Sequence, residues 1–169
     1  MKDQKLLIIS DSHIPARNKI DLYDFLQWKK YDFLIHCGDF TNYDSFQICK
    51  LLAKDKLLAV YGNCDTETIR TEIPAKLNMK INGKKILIFH SFNVYPRWNK
   101  EQLLEKAIEN NADIVFYGHT HNQLIHYYDK EKKEYFLDNK LNLTEKNRIY
   151  FINPGSLIDG KYLFLNLPI

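Results

Sequence analysis

Six short apolar runs in this chain stop at, or just before, residues that can hold a metal or a phosphate. Residues 6–10 lead into Asp11 and His13, 33–35 into His36, Gly38 and Asp39, and 57–61 into Gly62, Asn63 and Asp65. Residues 86–89 stop at His90, 114–117 lead into Gly118, His119 and His121, and 149–152 into Asn153-Pro154-Gly155-Ser156. Short continuous apolar runs suit parallel strands buried on both faces. Open α/β sheets place their ligands outside the carboxyl ends of such strands. Five of the ends offer the oxygen and nitrogen donors that hard or borderline divalent cations accept. The pattern predicts an α/β protein with metal-dependent chemistry gathered at one edge of its sheets.

The connections refine the fold. Leu22, Phe25, Leu26 and Trp28 share a helical side over 21–30, and Phe46, Cys49, Leu52 and Ala53 do so over 44–54. Leu103, Leu104, Ala107 and Ile108 make the inward face of a third helix over 100–110, whereas 66–76 reads as irregular. The period then changes: Leu77, Met79 and Ile81 alternate with polar residues, Asn82-Gly83 is a strong hairpin signal, and 85–89 returns. That hairpin excludes a plain Rossmann repeat. Residues 124–128 and 135–137 read as strands, 138–147 as an exposed loop, and 149–152 with 162–167 as a second hairpin-like pair around 155–160. Two sheets sharing one core with helices outside fit this order, and 169 residues suit a single domain over 1–169.

Composition removes several function classes. Lys plus Arg number 24 against 21 Asp plus Glu, and the basic residues are dispersed, so no footprint for long nucleic acid is present. No apolar stretch approaches the roughly 18 residues of a membrane span, and the few residues before Leu6 do not make a signal peptide. Cys37, Cys49 and Cys64 are odd in number and far apart, which predicts reduced thiols in a cytoplasmic protein. Tyr127, Tyr128, Tyr135 and Phe136 could form a self-complementary patch and so a homodimer; the alternative is that they only cover the second sheet.

Asp11, His13, Asp39, Asn63, His90, His119 and His121 together exceed what one tetrahedral zinc site needs. They match two adjacent metals sharing a carboxylate, an arrangement that drives in-line phosphoryl displacement. Taken singly, each has a bland alternative as a cap, a loop residue or a core histidine. Jointly the bland readings are poor, because four of the six histidines would stand at strand ends by accident. His36 reads as a group that orients a carboxylate, and His126, inside an alternating strand, as structural.

The ordered set Asp11-Ser12-His13, His36-Cys37-Gly38-Asp39, Gly62-Asn63-Cys64-Asp65, His90-Ser91 and Gly118-His119-Thr120-His121 resembles the calcineurin-like metallophosphoesterase superfamily. With the closing Asn153-Pro154-Gly155-Ser156 it resembles the small YfcE-type phosphodiesterases within it. The resemblance implies a four-layer α/β/β/α sandwich with two mixed sheets. It implies one metal on Asp11, His13, Asp39 and His121 and another on Asp39, Asn63, His90 and His119, with Asp39 bridging. It further implies two divalent ions, Mn²⁺ foremost with Fe, Zn²⁺ or Ni²⁺ as alternatives, and a phosphodiesterase in which hydroxide from a bridging water attacks phosphorus. Asp39, Asn63 and His119 are then the catalytic candidates. Arg17, Asn63 and His119 are the substrate-binding ones, Arg17 through a loop, Asp11 to Arg17, that is similar to the subgroup's Asp-x-His-x-Pro-x-Arg. For Arg17 a salt bridge that fixes the loop, for instance with Asp21, is an equal alternative. Three departures stand out: Cys64 where many relatives have His, Ser91 where Gly is usual, and no large cap domain, which leaves an open pocket for a small phosphoester. The same resemblance extends to a non-catalytic interaction scaffold, the retromer subunit of the Vps29 type, and a phosphomonoesterase or small-nucleotide hydrolase is a further alternative.

Overall fold

Leu6 and Ile8 point one way from the first strand and Leu7 and Ile9 the other, and all four are fully buried. That alternation sets the layering. The computed structural model describes residues 2–15, 20–138 and 143–169. Strand β1 (Gln4–Ile9) pairs in parallel with β2 (Phe33–His36), which pairs in parallel with β3 (Leu57–Ala59). Helices α1 (Leu22–Gln27), α2 (Tyr43–Ala53) and α3 (Glu67–Glu72) follow these strands. Leu7, Ile9 and Leu34 pack outward against Leu22, Leu26, Phe46 and Ile69 from these helices.

The second sheet has the order β4 (Lys76–Ile81), β5 (Lys84–Phe89), β6 (Ile114–Tyr117), β9 (Arg148–Pro154), β7 (Gln123–Asp129), β8 (Glu134–Leu137). β4 and β5 form the predicted hairpin, with Asn82 at φ 46° and Gly83 at φ 80°, the paired left-handed conformation of a tight two-residue turn. Ile86, Ile88, Ile114, Phe116 and Ile152 face Leu6, Ile8, Ile35 and Val60 across the space between the sheets. On the far face Leu87, Phe89, Val115 and Phe151 pack on Leu103 and Ala107 of α4 (Lys100–Glu109). The result is the expected α/β/β/α sandwich of two mixed sheets.

Three expectations change. Residues 66–76 are not irregular: α3 forms there, its one buried residue Ile69 giving too little apolar pattern for sequence to reveal. The last strands do not pair with each other. β9 lies between β6 and β7, while β10 (Leu163–Leu167) crosses to the first sheet and runs antiparallel to β1. Crossing lets Leu165 and Leu167 join the core between the sheets. Finally, Leu143, in the segment read as exposed, is buried in that same core.

Candidate metal centre

Asp11, Asp39, Asn63, His90, His119 and His121 all follow the carboxyl ends of strands, and the two sheets bring these ends together. Asp11 N donates to Gly38 O at 3.0 Å and His13 N to Asp39 O at 3.1 Å, so the loops after β1 and β2 are laced side by side. Asp11, His13, Asp39, His119 and His121 all have positive φ, between 45° and 75°. Such backbone is costly for residues with a Cβ and persists where surrounding contacts enforce it.

Those contacts are visible. Asp65 accepts from three backbone N–H groups: Gly62 at 2.7 Å, Thr41 at 2.8 Å and Asp39 at 3.0 Å. Burial raises its pKa even so. A Cβ on Gly62 would stand 2.1 Å from Asp39 Oδ1, so only glycine lets the third loop close on that carboxylate. Ser10 Oγ donates to Asp11 Oδ2 at 2.6 Å, and Ser156 Oγ to the Asp11 carbonyl at 2.9 Å. Asn153 donates to Gly118 O at 3.3 Å and to Thr120 Oγ1 at 3.0 Å, holding the loop of His119 and His121.

At the centre, His90 Nδ1 donates to Cys37 O at 2.7 Å, which leaves Nε2 with its lone pair aimed inward. That Nε2 lies 3.1 Å from Asp39 Oδ2 and 3.8 Å from Asp11 Oδ1. His13 Nε2 is 3.5 Å from Asp39 Oδ2, its Nδ1 resting 3.1 Å from Thr41 Oγ1. His121 Nε2 is 3.2 Å from Asp11 Oδ1. Three sets, Asp11-His13-His121, Asp11-Asp39-His90 and His13-Asp39-Cys64, each gather donor atoms within 4.8 Å of one another.

Not every candidate enters these sets. The His119 ring stands 5.2 Å from that of His90, and Asn63 lies on the exposed rim, its amide donating to Cys64 Sγ at 3.3 Å. Cys64, which is not among the seven ligand candidates, brings its sulfur close to the Asp39 and His13 donors. Arg17 lies outside the described residues. His36 was expected to orient a carboxylate. Instead Gly38 N donates to its Nδ1 at 3.2 Å and its Nε2 faces Ser12 Oγ at 3.1 Å, so it buttresses two loops.

Electrostatics follow from this crowding. Burial alone would raise Asp39 and Asp11, but the imidazoles of His90 and His121 that face them respectively hold both carboxyls below the usual range. His121 is raised by the Asp11 carboxylate that it faces. Burial, then the charges of His90 and Arg97, lower His119, and burial pushes His36 down to about 3.

A divalent cation fits this donor set. The buried Asp11 Oδ1 and His90 Nε2 make no regular hydrogen bond; what faces them is other ligand-type atoms. Converging lone pairs of buried carboxylates and imidazoles are stabilised by a shared cation.

Comparison with known proteins points to one family. The family model for the calcineurin-like phosphoesterase superfamily domain matches residues 5–162. A probable metallophosphoesterase, MJ0623, of Methanocaldococcus jannaschii is 34% identical over 119 residues, 70% of this chain and 59% of that protein. The match therefore spans less than two thirds of that relative's length. The phosphodiesterase MJ0936 of the same organism is 26% identical over 132 residues, 71% of this chain and 75% of that one. Among solved structures, vacuolar protein sorting 29 from Cryptosporidium parvum has a TM-score of 0.70 at 21% identity, covering 92% of this chain and 76% of its own; at that identity the likeness shows the fold alone.

Proposed function

Because the chain belongs to the calcineurin-like phosphoesterase superfamily, we propose that it is a phosphodiesterase working with two divalent metal ions on small or activated phosphodiesters. The observation that carries this reading is the convergence of buried Asp11 Oδ1 and His90 Nε2 on other ligand atoms instead of on hydrogen-bond partners. Asp11, His13, Asp39 and His121 would hold one ion, and Asp39, Asn63, His90 and His119 the other. Mn²⁺ is the preferred ion, with Fe, Zn²⁺ and Ni²⁺ as alternatives. Such ions supply Lewis acidity toward phosphoryl oxygens and make water more acidic.

The protein's own share is preorganisation. The Cys37 carbonyl fixes the His90 tautomer, and the Cys64 N–H, 2.8 Å from Asp39 Oδ1, fixes the rotation of that carboxylate. Neither group has to reorganise when charge develops on phosphorus. Asn63 and His119 stand at the rim, where an incoming phosphoryl group meets the protein, and a lowered pKa keeps His119 neutral near pH 7. Cys64 borders the same opening, on the side of the His13 and Asp39 donors. The three cysteines form no disulfide, which fits a reducing, cytoplasmic setting. No helix among the described residues is long and apolar enough to cross a membrane.

The test is a hydrolysis screen with Mn²⁺ over aryl phosphodiesters, cyclic nucleotides and phosphomonoesters, with Asp39→Asn as control. Metal-dependent turnover of an aryl diester, lost in that variant, is expected; full activity in Asp39→Asn would remove the mechanism. The second reading, which comes from the sequence resemblance to the Vps29 type, is a protein-interaction scaffold. A scaffold has no need of ligand residues, whereas this chain keeps all seven candidate positions. Negligible turnover with every substrate class would favour the scaffold.

A further inference from the structure

The third ligand set contains a residue that the two-metal assignment leaves out. His13, Asp39 and Cys64 each bring a donor atom within 4.8 Å of the other two. Zinc holds sulfur at about 2.3 Å and histidine nitrogen at about 2.0 Å, so on one tetrahedral ion the two stand about 3.6 Å apart. Even from the outer limit of the set, the sulfur has only about 1.2 Å to travel. A partial turn about the Cα–Cβ bond of Cys64 covers that, and its exposed position gives the turn room. The backbone is already pinned beside the carboxylate, because Cys64 N donates to Asp39 Oδ1 at 2.8 Å. The Asn63 amide donates to Cys64 Sγ at 3.3 Å, a bond that strengthens when sulfur carries negative charge.

A cation on this side is called for independently of the sulfur. Asp11 is fully buried, and its Oδ1 makes no regular hydrogen bond. Asp11 shares His13 with the sulfur through the set Asp11-His13-His121. The sulfur therefore comes to the ion assigned to Asp11, His13, Asp39 and His121, not to the one on His90. Cys37 and Cys49 offer no competing thiol, since both are buried in the hydrophobic cores.

We propose that Cys64 is a further ligand of this ion, bound through Sγ, and that it makes the His13 side of the centre selective for thiophilic cations, Zn²⁺ above all. Mn²⁺ is then left to the side of Asn63, His90 and His119. On binding, the S–H bond breaks, the sulfur gives an electron pair to the ion and the proton passes to water. Soft thiolate ligands select zinc-class ions, whereas carboxylate and water suit Mn²⁺. Zinc also accepts a fifth donor beyond its usual four. With Mn²⁺ in both positions the sulfur keeps its proton and stays at the rim. This rests on the two-metal reading above and deepens it.

The experiment reads metal binding to the reduced, whole chain with no substrate present. Co²⁺ stands in for Zn²⁺, because a sulfur ligand gives it a near-ultraviolet charge-transfer band that nitrogen and oxygen ligands do not. Wild type is expected to show the band. Cys64→Ser and His13→Ala should each abolish it, and Cys49→Ala, in α2 away from the site, should keep it. Calorimetry with Zn²⁺ and Mn²⁺ supplies the second readout. Any nitrogen and oxygen site already prefers Zn²⁺ to Mn²⁺, so the change in their affinity ratio is what counts. Cys64→Ser should lower that ratio by at least about tenfold, the lower end of the cost of losing even an outer partner of a metal ligand. Its Mn²⁺ affinity should match wild type, because the N–H that holds Asp39 belongs to the backbone. Wild type without the band, or an unchanged Zn²⁺-to-Mn²⁺ ratio in Cys64→Ser, would overturn the proposal while the two-metal reading stands. A band that survives in His13→Ala would place cobalt on the thiol alone and overturn it too. If the chain binds neither Zn²⁺ nor Mn²⁺, the two-metal reading falls and takes this ligand with it.

Discussion

Sheet two buries two histidines to the same degree, one at a strand end and one in a strand's middle, and treats them oppositely. His90 and His126 are each 1% exposed. His90, just past β5, has one nitrogen bonded to the Cys37 carbonyl and the other 3.1 Å from Asp39, and its pKa is raised although burial opposes this. His126, inside β7, stacks 5.0 Å from Phe151, and neither ring nitrogen has a hydrogen-bond partner among the described residues. Burial, with some help from the Lys100 charge, pushes it down to about 4. Strand ends in this protein hold polar groups in costly backbone and aim them at one point. Strand middles turn even a polar residue into a flat hydrophobe. Function and stability are thus separable, and substitutions in the two regions should report on different measurements.

The largest effect belongs to the strand ends. Asp39→Asn keeps the shape but removes the charge that faces both His13 and His90. It should lower kcat/KM by more than about 10²-fold, the scale of losing one preorganised electrostatic group. Elemental analysis after Mn²⁺ loading should show two ions per wild-type chain and fewer in the variant. A variant that still held two ions would break the assignment of Asp39 as the shared ligand.

Asp65→Asn probes the support behind that ligand. An amide in place of the carboxylate would turn N–H groups toward some of the three backbone donors now satisfied by Asp65. A supporting residue of this kind is worth about 10–100-fold in metal affinity or activity. Metal affinity measured by calorimetry should fall while the far-UV spectrum stays native. An unchanged affinity would mean that the backbone lacing of Asp11 and His13 suffices to hold the site.

The strand middle offers the reverse experiment. The folded-state pKa of His126 lies near 4, below the 6.5 of an unfolded histidine, so the unfolded chain binds the proton more readily. Its penalty is absent above about pH 6.5 and grows as pH falls toward 4, reaching roughly 2 kcal/mol at pH 5. His126→Phe keeps a ring on Phe151 and removes this term. Its denaturant midpoint should fall less between pH 7 and pH 5 than that of wild type, with Mn²⁺ affinity unchanged. Parallel pH profiles would show that His126 finds a proton partner on acidification.

The same contrast explains what sequence could reveal. Strand ends announce themselves because a run of apolar residues stopping at Asp11, Asp39, His90 or His119 is a local pattern. Layering was legible because β1, β2 and β6 are apolar on both faces. The path of β10 was not, since β9 and β10 both look like partners for a neighbour and only packing between sheets sends Leu165 and Leu167 to the first one. α3 was hidden because one buried residue, Ile69, anchors it. The three donors that Asp65 gathers are backbone groups from two loops, which no side-chain pattern encodes.

The smallest expected effect concerns Cys64, in the turn after β3 at the site's edge. Its N–H fixes Asp39 while its exposed side chain borders the His13 and Asp39 donors. An aryl leaving group departs as a stable oxyanion and gains little from a proton donor. An alkyl or ribose oxygen needs that proton, and a positioned donor is typically worth about 10²–10⁴-fold. A thiol serves this role less well than imidazole, so wild type should favour aryl esters strongly. Cys64→His should raise the alkyl-to-aryl rate ratio by only about tenfold, because a new ring at an exposed position will be imperfectly aimed. The backbone N–H to Asp39 survives the change, so the carboxylate stays in place. The ratio is the proper readout, since a ring that crowds His13 or takes up a metal would depress both rates together. An unchanged ratio with both metals still bound would show that leaving-group preference is set elsewhere, by the ions or by water at the open rim.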